Sequence, residues 1–388
     1  MNKPSALQFA IAGALALAAG MGIGRFAFTP ILPMMQKDYG LTLRLAGLLA
    51  SANYVGYFIG ALSAIWIRLP MATVLRASLL AVIVLTGAMG LTHHPAAWLL
   101  LRGLAGIASA WILIFSSAYV LGELAAQGKG RLGGVVFSGV GFGTALAGAF
   151  CLLFLNLEWS SDRAWLAAGV IALVIALCCW PGFRDATQAR TVAKSSPSPL
   201  RLRSHLLVIA CYGILGFGYI IPATFLPAMA KQVLPDPAVF GWAWPIFGSM
   251  AFVSTLLAGR LSAWLSNRLI WALSHVVMAI GVAVPVLLPG MAGIVIAAIC
   301  VGGTFMVATM TGLQEGRIQA PEHASQLIAA MTAAFAMGQI FGPLLVSAVA
   351  GVHNGMNGLL VGVGILLLSS AAALMVRPSG SRTAVKSV

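Results

Sequence analysis

GFRDATQARTVAKSSPSPLRLRS, residues 182–204, is the longest polar interruption in a chain that is otherwise apolar almost throughout. Its serines, prolines and basic residues mark a linker, and six long apolar runs can be read on each side of it. Of 388 residues, 60% are hydrophobic and 8% charged, and the mean hydropathy is +0.99. A water-soluble domain carries about a quarter charged residues to cover its surface; this chain lacks the means to do so. Recurrent apolar runs of about 20 residues are what a bilayer requires. They are too long and too uniform for barrel strands. The expected fold class is an all-α polytopic membrane protein.

Twelve spans follow from the hydropathy: 7–35, 43–66, 73–92, 96–121, 132–155, 164–181, 205–229, 241–266, 269–288, 291–314, 325–349 and 358–376. They group into an N-terminal six-helix bundle (1–181), the basic linker (182–204), a C-terminal six-helix bundle (205–376) and a tail (377–388). The two bundles echo one another. LPMMQK (32–37) after the first span matches LPAMAK (226–231) after the seventh, an offset of 194 residues. GALSA (60–64) near the end of the second matches GRLSA (259–263) near the end of the eighth, an offset of 199. Short matches at equivalent places and in the same order predict two parallel six-helix repeats with a site between them.

Charge placement orients the chain. With the N-terminus inside, the cytoplasmic segments hold sixteen of the 22 Lys and Arg residues, and the outer ones only Lys37, Arg44, Arg163 and Lys231. Positive charge collects on the cytoplasmic side of membrane proteins, so both termini and the linker are expected there. Nine of the ten tryptophans fall near span ends, where indole favours the interface; Trp111 alone is mid-span. The net charge of +14 is thus explained by topology. Without a basic stripe interleaved with aromatics, no nucleic acid partner is expected. The five cysteines lie in apolar runs and read as packing residues. No metal or cofactor signature is present. Lys3 and ALALAAG loosely resemble a signal peptide, but the apolar run continues, so an uncleaved first helix is expected.

Two cations belong to no loop. Arg25 lies within a few turns of the middle of span one, in GMGIGRFAFTP (20–30), and Arg102 lies in the outer half of span four. A central arginine costs about 2.5 kcal/mol or more in a bilayer, so it usually meets a cavity or a partner. All eight acids lie in loops or at span ends, leaving nothing at that depth to neutralise either arginine. A guanidinium without a carboxylate can grip one from a solute, two-pronged. The plainer readings are snorkelling or pairing with backbone carbonyls. Other candidate substrate contacts are Asn53 and Tyr57 (span two), Trp111 and Tyr119 (four), Tyr219 (seven), Thr311 (ten) and Gln339 (eleven), helix packing being the plainer reading for any one of them. Glu123 and Glu315 end spans four and ten and are candidate inner-gate partners of Arg131, Arg317, Arg68 or Arg268. His275, in span nine, reads as a packed residue. The pairs of glycines in GYFIG (56–60), GVGFG (139–143), GQIFG (338–342) and GLLVG (358–362) read as close helix contacts.

RGLAG (102–106) resembles the arginine–glycine motif of the major facilitator superfamily, and GQIFGP (338–343) its glycine–proline motif. GIGRFAFTPILPMM (22–35) is similar to the first-helix signature of the YbfB/YjiJ branch. The resemblance implies the major facilitator fold, alternating access and a central site, with Arg25 and Arg102 at the matching motif positions. The loop GALSAIWIRLP lacks the usual aspartate, and span five lacks the proline typical of drug antiporters. These residues predict a secondary active transporter of a small organic solute, anionic or amphipathic, and not an enzyme. The expected partners are that solute, a proton or counter-solute, and the lipid bilayer, with the chain a monomer. The alternatives are multidrug or metabolite efflux by proton antiport, and a non-transporting receptor on the same fold.

Overall fold

The computed structural model describes residues 5–183, 200, 202–233, 242–349 and 354–376. Most of the expected linker and the whole expected tail lie outside the described residues. Within them, all regular structure is helical. Helix α1 runs Ala6–Tyr39. It is followed by α2 Leu43–Ser63, α3 Met71–Ala88, α4 Pro95–Ala126, α5 Gly133–Asn156 and α6 Ser161–Cys179. The second set is α7 Leu206–Val233, α8 Ala243–Leu261, α9 Asn267–Leu287, α10 Met291–Gln319, α11 Ala324–Val349 and α12 Gly355–Met375. Eleven helices are long and apolar enough to cross a membrane. The other, α8, has 19 residues; at 1.5 Å per residue it is about 28 Å long, close to the hydrocarbon thickness. Arg260 and its Trp, Pro, Ser and Thr residues dilute its hydropathy.

Four helices outrun the apolar spans read from sequence. Helix α1 reaches Tyr39, α4 reaches Ala126, α7 reaches Val233 and α10 reaches Gln319. Hydropathy reports where hydrocarbon ends, whereas a helix continues while its backbone bonds do. The overhangs carry Lys37 and Asp38, Glu123, and Glu315 and Arg317. Side-chain caps set other boundaries: Ser5 and Gln8 form a capping box at α1, and Thr42 and Ser266 cap α2 and α9.

The packing repeats six helices later. Helix α1 packs on α5, α2 on α4, and α3 on α4 and α6; α7 packs on α11, α8 on α10, and α9 on α10 and α12. Contacts between the two sets are chiefly α2 with α11 and α5 with α8, which exchange under the same operation. Glycine fixes the register. A Cβ on Gly139 of α5 would lie 1.8 Å from the Ala14 carbonyl oxygen of α1, and one on Gly338 of α11 would lie 2.4 Å from the Gly213 oxygen of α7. Both 338 less 139 and 213 less 14 give 199, the offset already seen between GALSA and GRLSA.

A second glycine face on α5 carries the contact between sets. A Cβ would meet Thr255 O at 2.6 Å from Gly134, Phe252 N at 2.3 Å from Gly141 and Pro245 Cδ at 2.7 Å from Gly148. The two halves therefore touch along the length of α5. GYFIG behaves likewise, since Gly56 would meet Gly103 O of α4 at 1.9 Å. GLLVG does not: nothing lies within 4 Å of a Cβ on Gly358 or Gly362. Helix α12 is peripheral, and those glycines sit on its exposed side.

Candidate substrate site between the halves

The site begins with a break in α1. The α-helix Ala6–Leu17 passes into a π-helical turn, Ala18–Ile23, and resumes at Phe28. The wide turn shows in Gly24 N–H and Phe26 N–H donating five residues back, to Ala19 O at 2.9 Å and Met21 O at 3.1 Å. The glycines of GMGIG admit it because neighbours press in: a Cβ on Gly22 would lie 2.4 Å from Gly143 Cα. Pro30 has no N–H for the Phe26 carbonyl. Thr29 N–H bonds that carbonyl instead, at 3.3 Å, and so does not serve the Arg25 carbonyl four residues back.

Arg102 fills that gap. From α4, 3% exposed, its Nη2 donates to Arg25 O at 3.3 Å and its Nη1 to Gly24 O at 3.4 Å. Its guanidinium carbon lies 4.7 Å from the Phe28 ring centroid. A backbone opened inside a membrane must find donors in neighbouring helices, and this arginine supplies them. Asn53 of α2 in turn donates its amide to Arg102 O at 3.0 Å.

Arg25 stands differently. It is 2% exposed and points from α1 toward the second half. Its Nη2 donates to Gln339 Oε1 of α11, and Gln339 Nε2 donates to the Tyr219 hydroxyl of α7. Tyr57 of α2 lies face-on, its ring centroid 3.9 Å from the guanidinium carbon, with Tyr54 at 5.5 Å. Stacking of this kind satisfies charge but not donors, and Arg25 Nε and Nη1 have no hydrogen-bond partner. Among the described residues no carboxylate pairs with Arg25. The result is a cation at the meeting of both halves with two nitrogens, Nε and Nη1, unspent.

Beside it lies an aromatic wall. The Phe26 ring sits 6.2 Å from Phe305 and 6.3 Å from Trp244, edge-on to both. Phe305 stacks on Tyr219 at 5.2 Å and on Phe247 at 5.0 Å, and Tyr219 stacks on Phe335 at 5.4 Å. These rings come from α1, α7, α8, α10 and α11. The sequence reading had only Tyr219 among them, because a phenylalanine inside an apolar span looks like any other core residue.

Of the residues expected at the site, Arg25, Tyr57, Tyr219 and Gln339 come together. The others are placed elsewhere or spent. Trp111 donates its indole N–H to Gly60 O at 3.1 Å and Ser63 Oγ at 3.0 Å, clamping α4 to α2. Thr311 donates to Val307 O of its own helix at 2.8 Å. The Tyr119 ring packs on Phe9 and Phe183, at 5.2 and 6.3 Å. His275 Nε2 accepts from Trp271 Nε1 at 3.0 Å, within α9.

At the C-terminal end of α10, Glu315 pairs with Arg268 Nε at 3.8 Å and accepts from Gln319 at 2.8 Å. Arg317 Nη2 reaches across to α4, 3.0 Å from where a Cβ on Gly122 would stand. Glu123 is exposed and accepts from Gln127 at 3.0 Å; Arg68 and Arg131 are exposed. At the other end, Asp38 accepts from Ser161 N–H at 2.6 Å and Asp162 from the Tyr39 hydroxyl at 2.5 Å, tying α1 to α6.

The comparisons with known proteins agree with this architecture. A chloramphenicol resistance protein of Streptomyces lividans is 28% identical over 268 residues, which cover 62% of this chain and 64% of that one. The match thus spans less than two thirds of the relative's length. The crystal structure of the human organic anion transporter MFSD10 (TETRAN) superposes with a TM-score of 0.75 at 14% identity, over 96% of this chain and 100% of that one. That likeness speaks to fold. The model of the family described as "Uncharacterised MFS-type transporter YbfB" matches residues 17–376. The chain belongs to this family of major facilitator transporters and is a multi-pass membrane protein.

Proposed function

We propose that the protein is a secondary active carrier of small organic anions in a bacterial inner membrane. It works by alternating access between its halves, residues 1–181 and 205–376, as a monomer with both termini, linker and tail cytoplasmic. One observation carries the anion: Arg25, buried at the junction of the halves, has two donors unspent and no carboxylate partner. In low dielectric an unsatisfied charged donor is costly, and a solute carboxylate relieves that cost. Tyr57 and Tyr219 complete the contacts, Gln339 holds the Arg25 guanidinium from the second half, and Arg102 acts behind them as a positioning residue through the α1 backbone. The excess of Lys and Arg in the segments read as cytoplasmic supports the orientation.

Rocking requires that the inner ends open. Glu315, Arg268 and Arg317 are the closing groups there, the pair in one half and Arg317 reaching the other. Transport is coupled to a proton or a counter-solute. Reconstitution into vesicles with radiolabelled organic anions tests the proposal. Accumulation that requires Arg25 supports it, and its response to an imposed pH gradient identifies the coupling. Uptake indifferent to Arg25→Lys would overturn the gripping role.

A second reading, efflux of neutral amphipathic compounds, is favoured by the chloramphenicol resistance relative and by the aromatic wall. Radiolabelled chloramphenicol in the same vesicles separates the two, because a neutral solute has no need of the guanidinium.

A further inference from the structure

The closed site is filled by two of the protein's own groups, and each has the shape of part of a solute. The Gln339 amide oxygen takes one Nη2 hydrogen of Arg25, in the manner of a carboxylate oxygen. The Phe26 ring, 5.6 Å from the same guanidinium carbon, lies edge-on to Phe305 and Trp244. Carbonyl-type oxygen on the cation and a six-membered ring against aromatic faces are together the outline of an aryl carboxylate. Resting on the anion-carrier reading, we infer that the substrate class is aryl carboxylates, and that Gln339 and Phe26 are stand-ins which such a substrate displaces.

The chemistry of the two subsites supports this division. Arg25 Nε and Nη1 are unpartnered in the closed state, and a two-oxygen anion can use a pair of guanidinium donors where a single amide oxygen uses one. The neighbouring wall prefers aromatic rings because edge and face carry opposite partial charge. Phe26 is the residue after Arg25, and both lie in the turn Gly24–Ala27, where the regular α-helical hydrogen bonding of α1 is interrupted. Gln339 bridges Arg25 to Tyr219, so its displacement also cuts the polar link from α1 through α11 to α7. Occupancy of the site and release of the halves become one event.

Calorimetric titration of the purified protein at pH 7.5 with three probes tests the inference. Benzoate has ring and charge, cyclohexanecarboxylate has charge without aromaticity, and benzamide has the ring without charge. Benzoate is expected to bind at least about tenfold tighter than cyclohexanecarboxylate and about a hundredfold tighter than benzamide. Equal binding of the two carboxylates overturns the aryl class and leaves the anion carrier standing. Equal binding of benzoate and benzamide overturns the anion reading itself. Failure of benzoate to bind overturns the aryl class. Two variants, each first shown by thermal melting to be folded, address the stand-ins. Gln339→Ala removes a competitor and should tighten benzoate by about threefold to tenfold, whereas weaker binding would make Gln339 a substrate ligand and end the displacement idea. Phe26→Ala should improve 1-naphthoate relative to benzoate; an unchanged ratio would show that the ring's place is not the substrate's.

Discussion

Helices α1 and α7 hold equivalent places in the two halves, yet only one of them is broken. Each packs on its partner in the same register, Ala14 on Gly139 and Gly213 on Gly338. Beyond that contact they diverge. LPMMQK and LPAMAK are 194 residues apart, against 199 earlier in the helices, so α1 holds five more residues than α7 between the two landmarks. Helix α7 is an uninterrupted α-helix that runs through Pro222, so a proline alone does not force the break. In α1 the extra residues are taken up by the π turn and the turn Gly24–Ala27 that follows it. A symmetric frame thus carries an asymmetric insertion, and the insertion presents Arg25.

The partners of the two helices follow suit. Residue 301 stands 199 after Arg102, and it is a buried valine. Where α7 is unbroken there are no carbonyls to clamp, and no arginine is found. The comparison teaches that the first half has been given over to holding a charge, while the second supplies rings and the Gln339 amide.

Substitutions can break this comparison or sharpen it. The largest effect is expected from Arg25→Lys, which keeps the charge and loses the planar fork. Initial anion uptake in vesicles should fall on the order of a hundredfold with the melting curve little changed, and an unimpaired rate would leave the α1 break without a purpose. Next are Gly139→Ala and Gly338→Ala, the equivalent contacts of the two halves. Each forces backbone apart and should cost about 1–3 kcal/mol in denaturant unfolding, with Gly139 the more damaging because its Cβ would stand closer to a carbonyl. An equal cost would mean that the two helix pairs yield alike.

Arg102→Val copies the second half into the first. It leaves the Gly24 and Arg25 carbonyls unserved and should destabilise the protein by about 2 kcal/mol, with a smaller loss of uptake than Arg25→Lys. Because the role is to hold backbone, Arg102→Lys should recover part of both losses; no recovery would point to a contact with the solute itself. The smallest change is Trp111→Met, which installs the residue found 199 positions later, Met310. Two hydrogen bonds between α4 and α2 are lost, worth about 1 kcal/mol in unfolding. An uptake defect much larger than this would return Trp111 to the substrate site.

Much of this was legible before any coordinates. The apolar runs marked the helices, GALSA and GRLSA carried the 199-residue offset that the glycine contacts share, and Arg25 stood out as a cation without an acid near it. The roles of the two arginines were not separable. Both were guanidinium groups within apolar spans, Arg25 near the middle of the first and Arg102 in the outer half of the fourth, and their surroundings separate their roles: carbonyls for Arg102, an amide and a tyrosine face for Arg25. Trp111 and Thr311 looked like cavity residues because polar side chains in a membrane need partners. The partners proved to be nearby backbone, Gly60 and Val307, which hydropathy cannot register.

Hydropathy and repeat spacing are properties of the chain read locally, so the membrane fold and its long helices could be drawn from sequence alone. The site could not, because its members meet only where the two halves pack together. Arg25 and Gln339 are 314 residues apart, and the rings beside them come from five different helices. Which donors are spent and which remain free is decided by that packing, since a guanidinium carries the same five N–H groups wherever it stands.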